Sequence, residues 1–159
     1  MATFFAACSQ TNSDNTNYNL GIYQLRQGDY EKAIEFLSKA IEENPKDTDA
    51  YYNRGVARQN IKLDSLSIFD YDKVVELRPT DFEAYDNRGV AKMRLGKNDE
   101  AIEDYKMAIK VNPNFALAYS NMGNAYRIKL DFDKACENWK KALELGHENC
   151  REKIRINCK

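Results

Sequence analysis

The residues with the most reactive side chains are one histidine, His147, and four cysteines, Cys8, Cys136, Cys150 and Cys158. His147 stands three positions before Cys150. A cysteine nucleophile needs its histidine in contact and a third group to orient that histidine. Cys150, Ile154 and Cys158 instead fall at i, i+4 and i+8, one apolar stripe of a helix, where a thiol packs rather than reacts. No C-x-x-C pair is present, and His147 with Cys136, Cys150 and Cys158 lacks zinc-ligand spacing. Cys136 occupies the place that Ile34, Ile68 and Ile102 hold in the preceding segments, a core position. A disulfide within this set stays open for an oxidising compartment, except between Cys150 and Cys158, two turns apart on one helix. The chemistry on offer is therefore not catalytic, and the sequence implies neither a metal nor a cofactor.

Amides are the other recurrent chemistry. Asn19, Asn53, Asn87 and Asn121 are spaced by 34 residues. An amide both donates and accepts, so a row of them can hold an extended backbone whatever its side chains. The same row can tie one repeat to the next, and both readings fit the spacing. Lys and Arg number 24 against 25 Asp and Glu, with both signs mixed in every segment, which gives no field to steer nucleic acid. No run of 18 apolar residues exists to span a membrane as a helix.

The elements that must position these side chains follow from the 34-residue period. Pro45, Pro79 and Pro113 keep it, as do Gly21, Gly55, Gly89 and Gly123. So do the small residues Ala33, Ser67, Ala101 and Ala135, and the large ones Leu37, Tyr71, Tyr105 and Trp139. Within one period, Ala101, Ile102, Tyr105, Ala108 and Ile109 describe one face of a helix. Each proline closes a helix. Helices are predicted near 16–27 and 30–43, 48–61 and 64–77, 82–95 and 98–111, 116–129 and 132–145, with a capping helix over 148–158. Such a cap is needed to cover the apolar face of a last repeat. Gly28 and Gly96 sit between paired helices, where a positive φ costs little. Lys62 and Leu130 replace them, which predicts differently shaped turns there.

These columns resemble the tetratricopeptide repeat: L-G as Leu20-Gly21, A-x-x-x-aromatic as Ala101 to Tyr105 and Ala135 to Trp139, then the prolines, with His147 in place of the last. The resemblance implies an all-α, right-handed superhelical solenoid of four helix-turn-helix repeats over 14–47, 48–81, 82–115 and 116–147. Residues 1–13 precede it as a flexible segment and 148–159 form the cap and tail. It also implies a scaffold or adaptor that binds a protein partner rather than an enzyme. The family's groove-facing positions correspond to Tyr18, Asn19, Ile22, Tyr52, Asn53, Val56 and Asn60, then Asp86, Asn87, Val90 and Arg94, then Ser120, Asn121, Asn124 and Arg127. These suit an extended peptide or an amphipathic helix. Tyr51, Tyr85 and Tyr119 are expected in the core. The family's carboxylate clamp for chaperone C-termini is absent: its cation positions carry Tyr18 and Glu83.

Two departures carry information. Arg54 and Arg88 replace the family's Leu only in the repeats that also carry Asp70 and Asp104, while the other two repeats pair Leu20 with Phe36 and Met122 with Asn138. Each Arg is expected to pair with an Asp across helices or between repeats. At the N-terminus, F-F-A-A-C to Cys8, then a polar stretch over 9–17, resembles a lipoprotein signal and tether, although no Lys or Arg precedes the apolar run. That resemblance implies lipidation of Cys8 and attachment to a bacterial envelope, and the alternative to a peptide-binding scaffold is a structural lipoprotein there that acts by self-association or spacing. The other reading is a plain polar tail on a cytoplasmic protein.

Overall fold

Glycine faces a large side chain, leucine in repeat one and an aromatic in the other three, where the two helices of a repeat cross. A Cβ built on Gly89 would lie 2.6 Å from the Tyr105 ring, and one on Gly123 would lie 2.6 Å from the Trp139 ring. Leu37, Tyr71, Tyr105 and Trp139 are completely buried in these crossings. Small and large columns thus interlock, and this sets the interhelical distance.

The computed structural model describes residues 16–158. Cys8 and most of the polar stretch that follows it lie outside them. The described residues form nine helices. They are α1 (Thr16–Gln27), α2 (Tyr30–Glu43), α3 (Thr48–Asn60), α4 (Asp64–Leu77), α5 (Phe82–Arg94), α6 (Asn98–Val111), α7 (Ala116–Ile128), α8 (Phe132–Glu144) and α9 (Cys150–Asn157). Asp29, Asp47, Asp81 and Asp131 accept a backbone N–H at the starts of α2, α3, α5 and α8. Each helix packs on its neighbour in sequence, which builds a solenoid. The first helices of adjacent repeats also touch, α1 on α3, α3 on α5 and α5 on α7, so this row forms the inner side of the curve.

The turns at Lys62 and Leu130 correct the sequence expectation. Both residues adopt a left-handed backbone, φ 62° and 63°, the same region as Gly28 and Gly96 at 78° and 77°. A side chain there costs roughly 1–2 kcal/mol. The turn's hydrogen bonds outweigh that cost. Leu63 N–H reaches Arg58 O at 2.8 Å and Asp131 N–H reaches Tyr126 O at 3.0 Å, matching Asp29 to Gln24 and Lys97 to Lys92 in the glycine turns.

Cys136 is a second correction. It is half-buried rather than in the core, and it is bonded to Cys158 with the Cα atoms 5.7 Å apart. The bond staples the end of α9 to α8. Cys150 is the buried free thiol. Tyr51 and Tyr85 are buried as expected, whereas Tyr119 is half-buried between two apolar clusters.

Candidate functional site

The asparagine row lies on the inner helices, and Asn53, Asn87 and Asn121 each donate between repeats. Asn53 Nδ2 donates to Tyr18 Oη at 3.3 Å, and Asn87 Nδ2 donates to Tyr52 Oη at 2.9 Å. Asn121 Nδ2 donates to both Asp86 oxygens at 3.0 and 3.1 Å. Every rung joins residues 35 apart, one period plus one. Asn53 Nδ2 also reaches Asp49 O at 2.8 Å. These three asparagines therefore tie one repeat to the next, through side-chain acceptors rather than a neighbouring backbone, while their Oδ1 atoms accept no bond among the described residues. Asn19 is exposed on α1. The rungs leave Ile22, Val56 and Val90 half-buried along the inner row, beside the exposed Asn60, Arg94 and Arg127.

Behind the row, the expected Arg–Asp pairs are present. Arg54 grips the completely buried Asp70 through Nε at 3.2 Å and Nη2 at 2.8 Å, and its Nη1 reaches Ser38 of the preceding repeat at 2.9 Å. Arg58 Nη1 meets the other Asp70 oxygen at 2.7 Å. Arg88 holds Asp104 through two nitrogens at 3.0 and 2.6 Å and reaches Asp72 of the preceding repeat at 2.6 Å. Lys92 completes the cluster at 2.8 Å from Asp104. Each arginine also lies over its neighbouring tyrosine, Arg54 on Tyr51 at 5.5 Å and Arg88 on Tyr85 at 5.4 Å. These pairs hold both helices of a repeat, and the repeat before it, in register.

Tetratricopeptide repeat models match residues 15–47 and 48–81, and a TPR repeat model matches 91–127. The fold is similar to a crystal structure of MamA, with a TM-score of 0.82 and 30% identity over 89% of this chain and 83% of that one. The chain belongs to the tetratricopeptide repeat family. A second similar structure is MamA from Desulfovibrio magneticus RS-1, with a TM-score of 0.81 and 26% identity, covering 87% of this chain and 78% of that one. An uncharacterized protein of Methanocaldococcus jannaschii is 45% identical over 40 residues, 25% of this chain; the match spans just under half, 46%, of that relative. As a tetratricopeptide solenoid the chain is a scaffold for protein–protein interaction.

In this tetratricopeptide domain the cap closes one end of the inner row. Ser120 stands where Tyr18, Tyr52 and Asp86 accept their rungs, and α9 supplies its partners. Cys150 Sγ lies 3.4 Å and Lys153 Nζ 3.1 Å from Ser120 Oγ. Asn124 Oδ1 accepts from Trp139 Nε1 at 3.2 Å and from Lys153 Nζ at 3.1 Å. Ser120 and Asn124 are thus occupied within the chain. Lys153 was missed by sequence reasoning, because it lies outside the repeat frame that aligned every other column. Gln59 was missed as well: it accepts from Tyr71 Oη at 2.9 Å and donates to Asn87 O at 2.9 Å. Its column reads Leu25, Gln59, Met93 and Arg127, and that change of type was the only signal. With Met93 there, Tyr105 Oη has no partner among the described residues.

Asp86 is the unusual member of the row. It is 3% exposed and has only the Asn121 amide against it. Burial, then the nearby Glu83, push its carboxyl up to about 6, with Asn121 pulling the other way. Burial similarly lifts the Tyr52 hydroxyl to about 12. A raised carboxyl binds its proton more tightly in the folded state, so its contribution to stability is present at acid pH and is lost as pH rises through about 6. Asp86→Asn is therefore expected to gain about 3 kcal/mol at pH 7.5 and nothing near pH 3.5. Urea unfolding at the two pH values checks this, and an equal effect at both would remove the explanation.

Proposed function

We propose that the inner row over repeats one to three receives an extended segment or an amphipathic helix of a partner protein. The observation that carries this reading is the residue set left over once the inter-repeat rungs are formed. Ile22, Val56 and Val90 make an apolar line, and the unspent Oδ1 atoms of Asn53 and Asn87 flank it as acceptors. Peptide N–H groups can donate to those oxygens while apolar side chains rest on the line. Among the described residues α9 stops the row at its far end, so the binding path runs from Tyr18 to about Arg94.

A displayed peptide library selected on the wild-type protein tests the reading. Selected peptides are expected to shift the methyl signals of Ile22, Val56 and Val90 and to bind Val56→Arg, Val90→Arg at least roughly tenfold more weakly. Unchanged melting of that variant would show that the fold persists. Peptides that bind both proteins alike would place recognition elsewhere.

We also propose that the protein works in an oxidising compartment such as a bacterial envelope, with Cys8 as the lipid attachment point. The Cys136–Cys158 bond supports the compartment, because disulfides persist where thiols are not kept reduced.

A further inference from the structure

A cavity of about 540 Å³ opens beside the inner row where repeats two and three meet. Gln59 and Asn60 at the end of α3, Lys62 in the turn, Asp64 at the start of α4 and Arg94 at the end of α5 line it. Two features of these residues depart from the repeat pattern. Lys62 takes the left-handed backbone that Gly28, Gly96 and Leu130 take in the other repeats, and it is the one of the four that carries a charge. Arg94 uses only Nη1 within the chain, at 3.2 Å from Gln59 O and 3.3 Å from Asp64 Oδ1. Its Nε and Nη2, and the Lys62 ammonium, bond nothing among the described residues.

We infer that this cavity takes a carboxylate of the peptide laid in the inner row, with the free edge of Arg94 and the Lys62 ammonium as its donors. The charges on the lining select the ligand: two cations against the single buried Asp64 leave one positive charge, which one carboxylate neutralises. A phosphate dianion would leave excess negative charge beside Asp64. Arginine presents paired donors in the geometry of a carboxylate, and lysine adds a mobile point charge. Asn60 borders the inner row, and Gln59 donates to Asn87 O, so an anchored carboxylate sits at the rim of the peptide path. The carboxylate is either a chain terminus or an acidic side chain.

The inference rests on the groove reading, and one titration separates the two. The ¹⁵N-labelled full chain is titrated with three probes: acetyl-tetraalanine with a free C-terminus, the same peptide as its amide, and acetyl-Ala-Asp-Ala amide. Saturable shifts of the Lys62 amide and the Arg94 Nε–H are expected with one or both carboxylate probes. The probe that binds tells a chain terminus from an acidic side chain. Lys62→Gly keeps the left-handed turn and is expected to weaken binding roughly threefold, and Lys62→Glu to abolish it. Equal shifts with the tetraalanine amide, no shift with either carboxylate, or full binding by Lys62→Glu would each overturn the site. Shifts confined to Val56 and Val90 would overturn it while leaving the groove standing, and shifts confined to Lys62 and Arg94 would support the site and remove the groove.

Discussion

Asp70→Ala is expected to cost about 3–5 kcal/mol, because it leaves two buried guanidiniums without their shared carboxylate. Asp70 is completely buried, and the side chains of Arg54 and Arg58 are only 10% and 14% exposed. Water cannot replace the lost acceptor. The two cations would also repel one another, and the hold on Ser38 of the first repeat would loosen with them. For a domain of this size the midpoint should fall by roughly 10 °C. Asp104→Ala should cost less, since Arg88 keeps Asp72 and that cluster's other cation is the more adaptable Lys92. Calorimetry on both variants decides the matter: Asp70→Ala melting within a degree or two of wild type, or Asp104→Ala melting lower, would mean that the network does not carry the register.

Breaking the Cys136–Cys158 bond is the second large effect. The bond closes a separation of 22 residues, which corresponds to about 3 kcal/mol of chain entropy removed from the unfolded state. Cys158→Ser, or reduction of the wild type, should therefore lower stability by about that amount. The loss should concentrate in α9, an eight-residue helix too short to persist without docking. Once α9 detaches, Trp139 loses the cover of Lys153 and Cys150 loses its burial. The Trp139 emission should shift to the red, the α9 amides should exchange fast, and Cys150 should react with a thiol reagent that it resists in the oxidised protein. If Cys150 stays protected and α9 keeps its amide protection after reduction, packing alone holds the cap.

Both predictions involve positions that differ in how far sequence exposed them. The Arg–Asp network was legible because two substitutions occurred together in two repeats and were both missing from the other two. The disulfide was not. Its partner depends on where α9 docks, and residues 22 apart are not brought together by any local period. The asparagine rungs fall between these cases. A 34-residue step marked them as special, but the acceptor lies one period plus one residue earlier, on the preceding helix of the inner row. Only the superhelical offset between neighbouring repeats selects that partner.

By itself the sequence determined the repeat, the helix pairs and the interlocking of Gly21, Gly55, Gly89 and Gly123 with Leu37, Tyr71, Tyr105 and Trp139, because helical period and side-chain volume act over short range. It also pointed to protein–protein interaction, because its repeat columns match the tetratricopeptide family. Tertiary structure decided what depends on distance between elements. It turned Lys62 and Leu130 into left-handed residues, because the turn's two backbone hydrogen bonds outweigh a local preference. It spent the asparagine N–H groups on the lattice, joined Cys136 to Cys158, and brought Lys62 of one repeat beside Arg94 of the next. The rungs and the approach of Lys62 to Arg94 are settled by how one repeat packs on the next, and the disulfide by where α9 docks on α8.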